Sequence, residues 1–110
     1  MSTTPEIPEP VRTVVADVNA HDTTAFLDAF TPDGVVDDWG REFAGRDAIA
    51  AWSDHEFIGS HGTLTVEEVT VDDDTVTVTG DWRSTHANGR SRFAFVVDGD
   101  RIARMTIREG

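Results

Sequence analysis

Two neighbouring carboxylates, Asp37 and Asp38, close a short alternating run from Val35 to Trp39 in a chain of 110 residues. In an extended strand Val36 and Asp38 share one face, while Val35, Asp37 and Trp39 share the other. An acid among apolar side chains is a candidate general base, and burial in an apolar pocket would strengthen it in that role. The plainer reading is an acid near a strand end, solvated or bonded to a backbone amide. Asp37 should face outward. His86 falls on the same strand face as Trp82, where it could join Asp38 in acid/base work, bond a ligand, or simply end a strand beside a turn. His55 follows Trp52 by one helical turn and could line the same mouth. Trp52, Trp82 and Phe93 would give flat apolar walls or ordinary core packing. Trp39 points away, where a partner subunit could cover it. His21 and His61 read as loop residues.

Other chemistries find little support. There is no cysteine, which excludes disulfides, thiolate metal sites and cysteine nucleophiles. His55-Glu56 lacks the second histidine that a zinc-protease helix needs, so no metal site is expected. No glycine-rich phosphate loop and no serine–histidine–acid set in recognisable context occurs. The 21 acidic residues against nine arginines, with no lysine, give a net charge of −12. Such a surface repels nucleic acid and anionic lipid, so neither is an expected partner. The arginine bias fits a GC-rich genome or a salt-adapted proteome. Length and composition suit one soluble domain. No apolar run approaches a membrane span, and the first ten residues, MSTTPEIPEP, lack the features of a signal peptide. They read as a loose tail over residues 1–9 before a single domain over 10–110, with the cytoplasm as the default location.

The elements that must position these residues follow from period and punctuation. Val11, Val14, Val15 and Val18 recur on one helical stripe after Pro10. Asp22 or Thr23 can cap a short second helix with Phe26, Leu27 and Phe30 inward. Thr31-Pro32-Asp33-Gly34 reads as a tight turn. The strand ending at Trp39, a returning segment with Phe43 between Gly40 and Gly45, and a helix from about Arg46 carrying Ala48, Ile49 and Trp52 inward come next. From Thr63 the period is two, with a slip at Glu67-Glu68 that predicts a bulge and a turn at Asp72-Asp73-Asp74. Asn88-Gly89 is a strong two-residue hairpin signal. Taken literally it pairs His86 with Ser91, Ser84 with Phe93, Trp82 with Phe95 and Gly80 with Val97. A three-residue loop, Asp98-Gly99-Asp100, then sets Ala103, Met105 and Ile107 beside Phe95, Phe93 and Ser91. One sheet face is apolar and must be covered by the helices.

The segment from Val11 to Trp52 resembles the opening of the nuclear transport factor 2-like superfamily, closest to its SnoaL-like and ketosteroid-isomerase-like branch. The shared marks are Asn19-Ala20-His21-Asp22, Phe30 with its acidic turn, Asp37-Asp38, and Phe43-Ala44-Gly45-Arg46 ahead of a helix. The closing RFAFVVDGDRIARMTIR resembles the family's last hairpin. The resemblance implies an α+β fold, a curved antiparallel sheet packed on N-terminal helices as a cone with a pocket in its mouth. It implies a small apolar ligand of polyketide- or terpenoid-like character, no cofactor, and a homodimer through the outer sheet face. Family members include cyclases, isomerases, dehydratases, hydrolases and binding proteins, so either acid/base catalysis or plain binding or dimerisation fits. Asp38 matches the general base of the steroid isomerases. Val14 stands where those enzymes carry an oxyanion-hole tyrosine, and Ser91 where they carry a protonated aspartic acid. Without those donors, each usually worth a few kcal/mol, steroid isomerisation is not expected. The implied pocket holds Asp38 and His86 among Val14, Trp52, His55, Trp82, Ser91, Phe93 and Met105.

Overall fold

The four-valine stripe forms helix α1 (Val11–Asn19), and all four valines are buried. Valine is a modest helix former, so this packing holds the helix. A computed structural model describes residues 6–110. Residues 1–5 of the expected tail lie outside the described residues, and Ile7 is already buried in the core. Asp22 caps helix α2 (Thr23–Asp28) by accepting from the Ala25 backbone N–H. Phe26 on α2 and Phe30, which opens the next strand, meet edge to face at 5.2 Å.

Strand β1 (Phe30–Asp38) turns through Trp39-Gly40 into β2 (Arg41–Ala44), and helix α3 (Arg46–Glu56) follows. Both turn residues have positive φ, 55° and 91°, the geometry that joins two strands across a two-residue turn. After a 3-10 turn at Ile58–Ser60 come β3 (Thr63–Asp72), β4 (Thr75–Arg83), β5 (Gly89–Asp98) and β6 (Arg101–Glu109). The six strands lie in the order β2-β1-β6-β5-β4-β3. All neighbours are antiparallel except β1 and β6, which run parallel. One face of this sheet meets the helices and carries the buried Val36, Val78, Trp82, Phe93, Phe95 and Met105. Among the described residues no helix is long and apolar enough to cross a membrane.

Three local expectations are corrected. Thr31–Gly34 is not a free turn but a bulge inside β1: Phe30 faces Ile102, and the next pair is Val35 with Arg104. At the β4–β5 hairpin Trp82 faces Gly89 rather than Phe95, and Phe93 faces Val78. Residues 84–88 form a wider loop because its polar side chains bond inward. Asn88 Oδ1 accepts from the Ser84 N–H, and Ser84 Oγ accepts from the Ala87 N–H while donating to the Ala87 carbonyl. At the last hairpin Met105 faces Phe95 and Ile107 faces Phe93, with a two-residue turn at Gly99-Asp100 and an irregularity after it. That irregularity turns Ile102, not Ala103, into the core. The expected bulge at Glu67 is present, where Val66 faces Gly80 and Glu68 faces Thr79.

Candidate functional site

The site begins at the β1–β2 turn. Because only Trp39 and Gly40 separate the strands, Arg41 returns directly beside Asp38, and its Nη2 donates to Asp38 Oδ2 at 2.5 Å. The same guanidinium reaches α3 and grips Glu56 with two donors, at 2.6 and 3.1 Å, the planar fork that suits arginine. One helical turn earlier on α3, Trp52 Nε1 donates to Asp38 Oδ2 at 3.0 Å. His86, carried by the loop 84–88, sets Nε2 3.2 Å from Glu56 Oε1. That loop is pinned from beneath, since the Thr85 N–H and hydroxyl both donate to the Ser60 carbonyl. The result is a continuous chain, Asp38–Arg41–Glu56–His86, along one wall.

The electrostatics follow from these contacts. The Arg41 hydrogen bonds hold the Glu56 carboxyl below the usual carboxylate range, with the charges of Arg41, His86 and His55 acting the same way. Hydrogen bonds from Glu56 and Asp38 in turn push the Arg41 guanidinium upward. Asp38 is mostly buried, its side chain 15% exposed, yet it is not an isolated carboxylate in grease. Both of its donors use Oδ2, and Oδ1 accepts from no donor among the described residues.

Beside the charged residues lies an aromatic floor, to which Trp52, Phe57 and Trp82 contribute, with Phe43 behind it and outside the cavity lining. Phe43, Trp52, Phe57 and Trp82 stack in sequence, with centroids 5.9, 4.8 and 4.7 Å apart and planes within 28° of one another at each step. Phe93 leans on Trp82 at 5.9 Å. The cavity between floor and wall measures about 180 Å³ and opens at one side, which is below the roughly 300 Å³ at the small end of ligand sites.

The structure thus brings together Asp38, His86, Trp52, Trp82, Ser91 and Phe93 around one cavity. It leaves out Val14, His55 and Met105. Val14 is fully buried in α1, and Met105 is buried under the sheet's inner face. Phe57 touches Phe26 as well as Trp52 and Trp82, and itself lines the cavity. His55 is exposed, because the helix aims position 56, not 55, along the Trp52 face. The expected Asp38–His86 pair is replaced by His86 on Glu56, with Arg41 between the two acids. Asp37 does face outward but is buried, gripped by Arg104, Arg108 and the Gly40 N–H. Arg41, Glu56 and Phe57 were missed. The four-residue step from Trp52 to Glu56 and the two-residue gap between Asp38 and Arg41 were the available signals. Among the described residues no three histidine, aspartate or glutamate side chains gather as a metal cluster.

The profile of the SnoaL-like domain matches residues 11–110. A putative polyketide cyclase from Sinorhizobium meliloti is 26% identical, with 93% of this chain and 95% of that one covered at a TM-score of 0.82. A protein from Sphaerobacter thermophilus is 31% identical, covering 89% and 90% of the two chains at a TM-score of 0.74. The epoxide hydrolase/cyclase-like enzyme SalBIII, with a role in pyran ring formation in the polyether salinomycin, is 18% identical over 91% of this chain and 87% of its own; at a TM-score of 0.81 it shares the fold. A comparison with curated proteins finds no significant match. The helices, the six-stranded sheet and the profile match from Val11 to the last residue together make this chain a member of the SnoaL-like family, within the nuclear transport factor 2-like superfamily.

Proposed function

We propose that this SnoaL-like chain binds a compact, mostly apolar molecule carrying a carbonyl or hydroxyl group and moves a proton on it. The observation that carries the reading is the tethering of Asp38 through a single oxygen beside an aromatic floor. Oδ1 takes the proton from the ligand's acidic carbon or hydroxyl. His86, oriented by Glu56, exchanges a proton at the other end of the wall, and Ser91 offers a hydroxyl to developing negative charge. The reaction class is a cofactor-independent isomerisation, cyclisation or dehydration, in keeping with the likeness to a putative polyketide cyclase. The outer sheet face, rich in threonine and arginine, is proposed as the surface through which two copies pair.

A binding-only reading is favoured by one specific feature. Val14, where steroid isomerases carry a tyrosine donor, is buried in the core and offers the ligand nothing. Incubation with α-tetralone, a flat bicyclic ketone, in deuterated water separates the two. Under the catalytic reading the wild-type chain accelerates deuterium uptake at the carbon beside the carbonyl, and Asp38→Asn slows it by about a hundredfold or more with the fold retained. Tetralone binding without accelerated uptake leaves the binding module. Equal rates for the wild type and Asp38→Asn remove Asp38 as the base.

A further inference from the structure

Trp39 is the large aromatic side chain that the fold leaves outside, 58% exposed among the described residues. Its φ of 55° is a conformation that bulky residues rarely adopt, and glycine would make the turn with less strain. Nothing in the core requires a tryptophan here, yet its ring walls two spaces at once. On one side it closes part of the cavity beside Asp38. On the other it borders an open groove of about 440 Å³. Cavity and groove also share Trp82, Ala87 and Ser91, so they adjoin along one rim. Beyond that rim the groove runs past Asn88 and Gly89, and open space surrounds Gly89 on its side-chain side. Arg90, the basic residue in the groove, is already engaged by Glu67 and Glu68.

We propose that cavity and groove are two halves of one ligand site, with Trp39 as the specificity-determining residue at their junction. The inference rests on the reading above that the cavity holds a small molecule, and it adds the ligand's shape. The occupant is a neutral, elongated molecule in two parts. A compact ring bearing a hydroxyl or carbonyl lies on the aromatic floor under Asp38, and an apolar, preferably aromatic, extension crosses Trp39 into the groove. Three observations favour this occupant. The inner space alone is small for a ligand. The cavity wall sets two carboxylates, Asp38 and Glu56, against the single guanidinium of Arg41, and the groove adds Glu109 beside the already paired Arg90, so an anionic group is disfavoured. The exposed indole offers a face for stacking where the inner space ends.

Two neutral probes test it: para-cresol, sized for the inner cavity, and para-benzylphenol, the same phenol with a second ring attached. Calorimetric titration of the full chain gives the ratio of their affinities for the wild type, Trp39→Gly and Trp39→Phe. In the wild type benzylphenol binds more tightly than cresol. Trp39→Gly, which also relieves the backbone strain, lowers that ratio by about tenfold, and Trp39→Phe keeps most of it. If cresol binds and the ratio survives Trp39→Gly, the outer half of the site is wrong while the cavity reading stands. If neither probe binds the wild type, the cavity reading and the bipartite site fail together. A change in sedimentation behaviour on Trp39→Gly would make the ring a contact between copies and overturn the proposal.

Discussion

The two adjacent acids of β1 have opposite employments, and the pleat alone separates them. Asp38 looks inward and accepts from Arg41 and Trp52 through one oxygen. Asp37 looks outward and is spent on structure: Arg108 hydrogen bonds, the Gly40 N–H and Arg104 hold its carboxyl down at about 2, from an ordinary value of 3.8. A carboxyl depressed on folding contributes stability that is fully present above its unfolded value, near pH 4, and fades as pH falls through about 2. The contribution is at most about 2 kcal/mol. Asp37→Asn should therefore be less stable than the wild type at neutral pH, with the gap shrinking steadily in urea melts taken from about pH 4 downward. A gap independent of pH over that interval would mean that the arginines stabilise Asp37 by packing rather than by charge. The face assignments of Asp37 and Asp38 were legible in the sequence, because strand alternation is a strict rule. Their partners were not, since arginines 67 and 71 residues away in sequence reach Asp37 only once the last strand lies beside the first.

At the scale of elements, period and punctuation gave nearly every strand and helix, while the registers of two hairpins slipped. The β4–β5 slip is even, as is the slip at Met105 and Ile107, so those side chains kept their expected faces and the agreement of apolar faces could not reveal the error; only beyond the irregularity in β6 does the parity change, where Ile102 replaces Ala103 in the core. The Asn88-Gly89 signal was overridden by Ser84 and Asn88, whose side chains bond within the loop and push the turn out to residues 84–88. This wider loop brings His86 to Glu56. The floor of the cavity depends on a second local condition. A Cβ at Gly62 would lie 2.0 Å from Trp82 Cη2, so the absence of a side chain there lets the indole lie flat against Phe57. Gly62→Ala should force Trp82 aside, lower stability by about 1–3 kcal/mol, and redshift the tryptophan emission as the stack opens. An unchanged urea midpoint would show that the loop at Gly62 yields instead of the ring.

For the molecule as a whole, a chain of net charge −12 keeps much of its arginine on the side of the sheet away from the helices. Arg104 and Arg108 are tied to Asp37 there, but Arg92, exposed on β5, has no hydrogen-bond or ion-pair partner among the described residues. If two copies pair through this face, Arg92 meets an acid or a carbonyl of its mate. Arg92→Glu should then shift sedimentation equilibrium toward the monomer by about tenfold or more in dissociation constant. A wild-type chain that sediments as a monomer at all concentrations would dismiss the pairing.

The parallel contact between β1 and β6 joins the opening third of the chain to its last strand. A nascent chain has therefore made β1, with Phe30 and Val36 awaiting cover, long before β6 is available to lie between β1 and β5. Pairing over such a distance carries a loop-closure cost that slows assembly. Until it happens, the ribosome holds a half-sheet with a bare hydrogen-bonding edge, the state in which a chain of this kind is most exposed to aggregation.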